Sequence, residues 1–452
     1  MIESLRNNFL EWLERYRNDV SFRHLVRMSF FSLLIRVVGL ATGFLVTVIT
    51  SRFYGADALG IVSICIAILS FASVIGKLGM DVALMRYIAE LFSQKNYSAI
   101  KHVYIKSYQF IFPVCLLITV LLWFGSSWIA TALFQKPHLA GLLRVNSLFV
   151  FPLVVLLINS ESVRGLHRIR AYTFLQTSVV SILATILLLG ALLFTSGKFI
   201  PVVVQFISIS LAAVISMAMF FKFSQWNRNK SSGVIDTGKL LRTSSPMFIT
   251  TIMQLIMTWG GTLIMASYYP ESEVGIYNAI VRISTFTNIS ILAINSIAAP
   301  RIATAFASGR QEEMKTLAAE SVQLIFISSI VVFLPLFLFP HFVLSVFGKD
   351  FAGNEFSLKL LLAGQLFVSF SGLAAQVLNM ADREKNLRNN ALIAAAFNIT
   401  ACFVLIPRYG IPGASIAQVV GMVVWNVLCV YSVKKQFHFF TFFSMSRNRR
   451  RD

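Results

Sequence analysis

The sequence predicts an all-α polytopic membrane protein with about twelve transmembrane helices. Of its 452 residues, 57% are hydrophobic and 13% are charged, and the mean hydropathy is +0.75. A soluble protein carries about twice that charged fraction. Apolar runs of roughly 18 to 25 residues recur along the whole chain, which is the length that an α-helix needs to cross the hydrocarbon core of a bilayer.

Twelve apolar runs are candidate spans. No short apolar segment followed by a cleavage site precedes the first run, which is therefore predicted to act as the insertion signal. An even number of spans places both chain ends on the same side of the membrane. The predicted bounds are 28–50, 58–78, 104–123, 140–160, 171–194, 199–221, 243–267, 274–298, 317–339, 357–380, 390–406 and 411–433.

The basic residues are divided unevenly between the two sides of these spans. Of the 39 lysines and arginines, 29 lie in segments on the side of the chain ends and five lie in the opposite segments. Segments rich in Lys and Arg remain in the cytoplasm, so both ends are predicted to be cytoplasmic. Topology and attraction to anionic lipid headgroups then explain the net charge of +20, and no nucleic-acid partner is needed.

A shift of 215 residues brings two similar stretches into register, with Tyr54 and Gly60 falling on Tyr269 and Gly275. Both halves start on the same side, so the predicted repeat is parallel. We therefore expect two six-helix lobes joined by a polar cytoplasmic linker. The predicted organisation is a cytoplasmic amphipathic N-terminus (1–27), a first lobe (28–223), the linker (224–240), a second lobe (241–433) and a basic cytoplasmic tail (434–452).

Two arginines lie deep inside apolar runs. Arg36 is eight residues into the first run and Arg282 is eight residues into the eighth, roughly 12 Å along each helix at a rise of about 1.5 Å per residue. A charge near the middle of a bilayer costs from about 3 to more than 10 kcal/mol if it faces lipid. Because the sequence offers no acidic residue at their depth, the two arginines predict a wet cavity that binds a negatively charged substrate.

Small and polar residues accompany these arginines. Gly39 and Gly43 lie within about 60° of Arg36 on a helical wheel. Together with the arginine they favour a cavity-lining face, although glycines alone are typical of helix packing. The eighth run carries further polar residues, for which interhelical hydrogen bonding is the alternative explanation. Three of them are predicted to contact the polar part of the substrate: Tyr277, Asn278 and Asn288.

Two acidic residues near span ends, Asp81 and Glu161, are candidate sites for a coupling ion. Asp81 is also four residues from Lys77, a spacing that favours a local pair at the helix end. The four cysteines lie inside apolar runs and the six histidines are scattered, so neither a disulfide nor a metal site is predicted. No phosphate-binding loop or nucleophile motif is found, which indicates a transporter without a cofactor and not an enzyme.

Several motifs resemble those of bacterial polysaccharide or O-antigen flippases. The N-terminal ones are Ser51-Arg-Phe-Tyr-Gly-Ala-Asp-Ala-Leu-Gly-Ile61, Gly79-Met-Asp81 and Arg86-Tyr-Ile-Ala89, and the C-terminal one is Leu405-Ile-Pro-Arg-Tyr-Gly-Ile-Pro-Gly-Ala414. That family belongs to a superfamily with multidrug extrusion antiporters, oligosaccharidyl-lipid flippases and the lipid II flippase. The resemblance implies two six-helix lobes around a V-shaped central cavity.

The resemblance also implies movement of a polyprenyl-diphosphate-linked oligosaccharide from the cytoplasmic to the periplasmic leaflet of the inner membrane. Arginines of spans one and eight, here Arg36 and Arg282, would face the diphosphate. The polymerase and chain-length regulator of the same pathway would be protein partners.

Three alternatives remain open. A drug/cation antiporter of the same fold would need an acidic residue in span one or seven, which is not found. A lipid II flippase would have two further C-terminal helices. A membrane polymerase or glycosyltransferase would need a large outer loop or paired acidic residues at an interface.

Overall fold

A computed structural model describes residues 20–194, 197–224, 237–381 and 383–442. Most of the predicted N-terminal segment 1–27 lies outside the described residues, as do parts of the predicted linker 224–240 and tail 434–452. Nearly all of the described chain is helical, because long runs of Leu, Ile, Val, Ala and Phe satisfy their backbone hydrogen bonds within helices when no water is available.

Most of the chain is organised in long helices with short connections. In chain order they are α1 (Val20–Lys77), α2 (Met80–Ser93), α3 (Tyr97–Trp128), α4 (Ala140–Ser147), α5 (Val150–Gly165), α6 (Ile169–Thr173), α7 (Val179–Ala191), α8 (Ile200–Phe223), α9 (Thr237–Tyr268), α10 (Glu271–Ser284), α11 (Asn288–Ala307), α12 (Gln311–Leu338), α13 (Pro340–Ser345), α14 (Glu355–Ser371), α15 (Ala374–Met380) and α16 (Glu384–Phe437). Short π-helical segments, Ile129–Leu133 and Phe174–Ser178, follow α3 and α6, and a 3-10 turn, Thr285–Thr287, joins α10 to α11.

The two longest helices are interrupted by glycines. Helix α1 has 58 residues and, if straight, would be nearly three times as long as the bilayer core is thick. Gly55, with φ 90°, breaks α1, and Gly410, with φ 57°, breaks α16. Only glycine adopts such angles readily. Asn398 Nδ2 donates to Ala417 O at 2.9 Å, so α16 folds back on itself at Gly410.

Seven helices of the described chain are long and apolar enough to cross a membrane, or nine if each of two bent pairs forms one span. The bent pairs are α4 with α5 and α14 with α15, each with an angle of 46°. The prediction of a polytopic helical membrane protein is therefore confirmed, but the predicted count of twelve spans is not. Glycines interrupt helices that otherwise run continuously, and a 3-10 turn separates α10 from α11, so the number of helices differs from the number of apolar runs.

The buried apolar residues form one core shared by both halves of the chain and separate cores within each half. We call the end of the helices near Ser224 and Thr237 the linker end, and the end near the α9–α10 turn the distal end. The shared core lies at the distal end and includes Leu139 of the first half and Met265 of the second. Towards the linker end, one core contains first-half residues and another second-half residues. On the linker side of the shared core the two halves therefore have separate apolar cores, and we call the region between them the cleft.

Candidate functional site

Arg282 faces the space between the two halves. A Cβ atom built on Gly43 of α1 would lie 1.9 Å from Arg282 Nη2 and 3.5 Å from Ser181 Oγ of α7. The guanidinium of this second-half residue therefore rests against α1 of the first half, at the position where Ser181 of α7 also approaches Gly43. Its neighbours Ile283 and Ser284 are fully buried, whereas Arg282 is exposed. An exposed guanidinium that contacts the opposite half indicates a solvent-accessible cleft at this depth.

Arg36 lies on the same helix as Gly43, nearer to the linker end. Its side chain is half-buried, and its Nε atom is fully buried with no hydrogen-bond partner among the described residues. Within the described chain, neither Arg36 nor Arg282 forms an ion pair with a carboxylate. Both predicted cations thus lie among helices, and no carboxylate of the described chain forms an ion pair with either.

The two arginines are not at the same depth, contrary to the sequence-based estimate. Arg282 contacts the first helix at Gly43, seven residues beyond Arg36, which corresponds to roughly 10 Å along the axis. The estimate failed because the distance of a residue from the start of an apolar run does not give the vertical offset between two helices. The two guanidiniums therefore lie one after the other along one face of α1 and not side by side at one level.

The three predicted polar contacts have different environments. Tyr277 is buried in the shared core with 2% of its surface exposed, so it does not line the cleft in this conformation. Asn278 accepts a hydrogen bond from Thr262 Oγ1 of α9 at 3.2 Å and donates to Val274 O of its own helix at 2.8 Å. The first bond is of the interhelical kind given above as the alternative to substrate binding. Asn288 is half-buried at the start of α11, directly after the 3-10 turn.

Both candidate coupling carboxylates already have cationic partners. Asp81 is buried and pairs with Lys77, as their spacing predicted. Glu161 is also buried, and its Oε2 atom lies 3.3 Å from Arg164 Nη1. These pairs neutralise two buried charges at the linker end, where they hold α1 to α2 and stabilise the end of α5.

Arg170 is a further cation at the linker end that the sequence did not single out. Its Cζ atom lies 4.5 Å from the centre of the Phe31 ring, and its Nε atom has no hydrogen-bond partner among the described residues. Arg86 is four residues from Glu90 on α2, a spacing that favours a local pair. Instead its Nη2 atom lies 3.2 Å from Oε1 of Glu384, so this ion pair joins the two halves.

A polar latch at the distal end was also not predicted. Lys136 is buried and its Nζ atom donates to Ala266 O at 2.9 Å and Tyr269 O at 2.7 Å, both in the other half. Burial lowers the pKa of Lys136, and the nearby Glu271 opposes that effect. His138 Nε2 lies 2.9 Å from Glu271 Oε1. The sequence signal was a basic residue in a short external segment, which is ordinarily solvated.

Glycines bring the two halves into backbone contact at the same end. A Cβ atom on Gly60 would lie 1.8 Å from Glu271 O, and one on Gly275 would lie 2.1 Å from Ala56 O. We call these glycines, together with Lys136, His138 and Glu271, the distal seal. The cleft that contains Arg282 is therefore closed at the distal end by direct packing of one half on the other.

A multi-pass helical bundle with a cationic cleft between its halves defines a membrane transporter. Residues 25–306, more than half of the chain, match the family described as "Polysaccharide biosynthesis protein", and the chain belongs to that family. Residues 246–404 also match the MatE family. The resemblance to polysaccharide flippases and to their superfamily is therefore confirmed.

Curated relatives match parts of the chain. The capsular polysaccharide biosynthesis protein CapF of Staphylococcus aureus is 21% identical over 227 residues, which are 50% of this chain and 57% of CapF. The probable low-salt glycan biosynthesis flippase Agl15 of Haloferax volcanii is 20% identical over 190 residues, covering 42% of this chain and 40% of Agl15. The chain thus matches about half the length of these relatives.

Solved transporter structures share the fold over almost the whole chain. An inward-facing multidrug resistance transporter of the MATE family and MOP superfamily gives a TM-score of 0.71 at 15% identity, covering 90% of this chain and 98% of that one. The lipid II flippase MurJ in an inward closed conformation gives 0.68 at 15% identity, covering 91% and 89%. At this identity the similarity establishes the fold and nothing about substrate.

Proposed function

We propose that this protein is a flippase for a polyprenyl-diphosphate-linked oligosaccharide, the repeat unit of an O-antigen, capsule or exopolysaccharide. The observation that carries the proposal is the placement of Arg282 in the cleft, exposed and without a protein anion in the described chain. A planar guanidinium stays charged when desolvated and can bind two phosphate oxygens at once. The names of the family and of the relatives agree with a glycan-linked substrate.

The proposed orientation places the linker end in the cytoplasm of the inner membrane, because 29 of the 39 basic residues lie in segments on that side. The cleft then receives substrate from the cytoplasmic leaflet, past the Arg86–Glu384 pair that joins the halves at this end, while the distal seal separates it from the periplasm. The polyprenyl tail stays in lipid. Alternating access requires the seal to open and the linker end to close around the bound headgroup.

The two arginines are proposed to act in sequence on the diphosphate. Arg36 lies nearer the linker end and would meet the headgroup first, and Arg282 would hold it deeper in the cleft. The glycan would lie towards Asn288. Asn278 and Tyr277 support the walls of the cleft in this conformation, and they become glycan contacts only if the halves rearrange. The polymerase and chain-length regulator of the pathway are the proposed protein partners.

The cation lining argues against export of cationic drugs by this chain, although the MATE neighbours are named as multidrug resistance transporters. Two guanidiniums that pair with no carboxylate of the described chain repel a cationic ligand and attract an anionic one. A membrane polymerase would need catalytic groups that the described cleft does not bring together. The coupling ion, if there is one, would act at Asp81 or Glu161 only after displacing Lys77 or Arg164.

The proposal is tested by complementing a strain deleted for this gene with single variants and measuring surface polymer, with protein abundance checked by immunoblot. Arg36→Ala and Arg282→Ala should abolish export, and Lys at either position should restore it in part. Arg52→Ala is the control, because Arg52 is exposed at the distal end and should export normally. Normal export by both alanine variants at normal abundance would contradict the proposal.

A further inference from the structure

Gly43 leaves the space that the Arg282 guanidinium occupies. The point where a Gly43 Cβ atom would stand is 1.9 Å from Nη2 and 3.2 Å from Cζ of Arg282. Any side chain at position 43 would overlap the guanidinium. We propose that Gly43 is a positioning residue, which seats Arg282 across the cleft so that its free edge binds the diphosphate of the substrate. This inference rests on the proposed function.

We call the space beside Gly43 that the guanidinium occupies the seat. In the described chain, the N–H groups of Arg282 donate no hydrogen bond in this position. The Gly43 carbonyl already accepts a bond from Thr47 Oγ1 at 3.0 Å. In the described chain, no carboxylate lies within ion-pair distance of Arg282, and no hydrogen bond of its guanidinium is found. A guanidinium has five N–H donors arranged as a fork. The Arg282 guanidinium packs against Gly43 on one side and is exposed on the other, so its N–H groups face the cleft.

The position of Gly43 on α1 adds to the argument. Gly43 lies about 20° from Arg36 on the helical wheel, so the seat and Arg36 share one face of α1. An anion that moves along this face from Arg36 towards the distal end next meets the fork of Arg282. Gly39 lies on the same helix but packs on the π-helical segment Phe174–Ser178, since its Cβ would be 2.6 Å from Thr177 O.

The overlap at Gly43 differs in kind from those at the other tight glycines. At Gly60 and Gly275 an added Cβ would strike a backbone carbonyl, which cannot move alone. At Gly43 it would strike the end of a long, flexible side chain. Gly43→Ala should therefore leave the fold intact and move the guanidinium. The substitution therefore tests the position of the charge, because it moves the guanidinium without removing it.

The test is a double-mutant cycle on binding of farnesyl diphosphate, a short polyprenyl diphosphate, to the purified full-length protein in detergent. Arg282→Ala should weaken binding by roughly tenfold or more, and Gly43→Ala by a comparable factor. In the Arg282→Ala background, Gly43→Ala should cause no further loss, because there is no guanidinium left to displace. Farnesol, which lacks phosphate, should bind all four proteins alike.

Gly260→Ala is the matched control. Gly260 is a helical glycine of α9 whose Cβ would meet only Ile256 Cγ2 at 3.8 Å, so affinity should be unchanged in both backgrounds. Melting temperatures are recorded for every variant. Wild-type affinity in Gly43→Ala, an additive loss in the double variant, or a Gly43→Ala protein that does not fold would each overturn the inference. Failure of the wild type to bind farnesyl diphosphate more tightly than farnesol would instead count against the proposed function.

Discussion

Gly60 and Gly275 coincide when the sequence is shifted by 215 residues, and in the structure they pack against each other at the distal end. A Cβ on Gly275 would lie 2.9 Å from Gly60 N and 2.1 Å from Ala56 O. Each half of the chain thus contributes one glycine to the same contact. In the closed distal seal the backbone of α1 lies directly against the backbone of α10. Only glycine permits this approach, because any other residue would carry a Cβ atom into the opposite backbone.

We expect Gly275→Ala to destabilise the distal seal, because the new methyl group overlaps a carbonyl that belongs to a helix. Overpacking of this kind costs about 1–3 kcal/mol, and separating the halves would relieve it. The equilibrium should move towards a distally open state. The measurement is the distance between spin labels at Asp57 and Tyr409, which are exposed on opposite halves near this end. The distribution should shift to longer distances.

Gly141→Ala provides the control for that measurement, since nothing lies within 4 Å of the added atom. Its distance distribution should equal that of the wild type. An unchanged distribution in Gly275→Ala, with the protein folded, would show that the glycine contact does not hold the seal closed.

Lys136→Met should open the same seal through loss of hydrogen bonds. The substitution keeps an apolar stem of similar length but leaves Ala266 O and Tyr269 O without their donor. Leaving buried polar groups unsatisfied costs roughly 1–3 kcal/mol. We expect faster hydrogen–deuterium exchange at the end of α9 around Tyr269. Lys198→Met, at an exposed distal turn, should leave exchange around Tyr269 unchanged. Equal exchange in both variants would argue against the latch.

Much of this arrangement could be predicted from the sequence. The low charged fraction of the chain and its apolar runs predicted the fold class, and the 215-residue shift paired Gly60 with Gly275. The unpaired arginines followed from the cost of burying a charge, a local property of each run. These features depend on composition or on short-range periodicity, both of which can be read along a single chain.

The contacts between halves could not be predicted in this way. The sequence positions of Lys136, in a short external segment, and of Arg86, four residues from Glu90, indicate no partner in the other half, because spacing along the chain describes neighbours on one helix only. The relative depth of Arg36 and Arg282 depends on how α1 and α10 are offset, which no run length specifies. Tyr277 was predicted on a polar face, yet tertiary packing places that part of the face in the shared core.

The Lys77–Asp81 pair is expected to behave as a buried ion pair, since each side chain is only 11% exposed. Asp81→Asn should lower the free energy of unfolding by about 3–5 kcal/mol, because it leaves the Lys77 ammonium buried without its anion. Removing both charges, with Lys77→Met and Asp81→Leu, should recover most of that loss. Thermal unfolding in detergent measures both effects.

An exposed pair gives the comparison for this prediction. Glu312 Oε2 lies 3.3 Å from Lys315 Nζ, and both side chains are largely exposed, so Glu312→Gln should change stability by less than about 1 kcal/mol. A double variant of Lys77 and Asp81 that is stable but no longer exports polymer would instead favour the proposed ion-coupling role for Asp81.

Reporter fusions are expected to show both chain ends in the cytoplasm. A reporter active only in the periplasm should give signal when fused at Gly197, in a distal turn, and none at Ser231 or after Asp452, which lie outside the described residues. The reason is the division of basic residues, 29 against five, because Lys- and Arg-rich segments are retained on the cytoplasmic side. A cytoplasmically active reporter at the same positions provides the reciprocal control. Signal from the periplasmic reporter after Asp452 would mean an odd number of spans. In that case the two halves could not be parallel repeats, and the cleft beside Arg282 could not open to the cytoplasm in the way proposed.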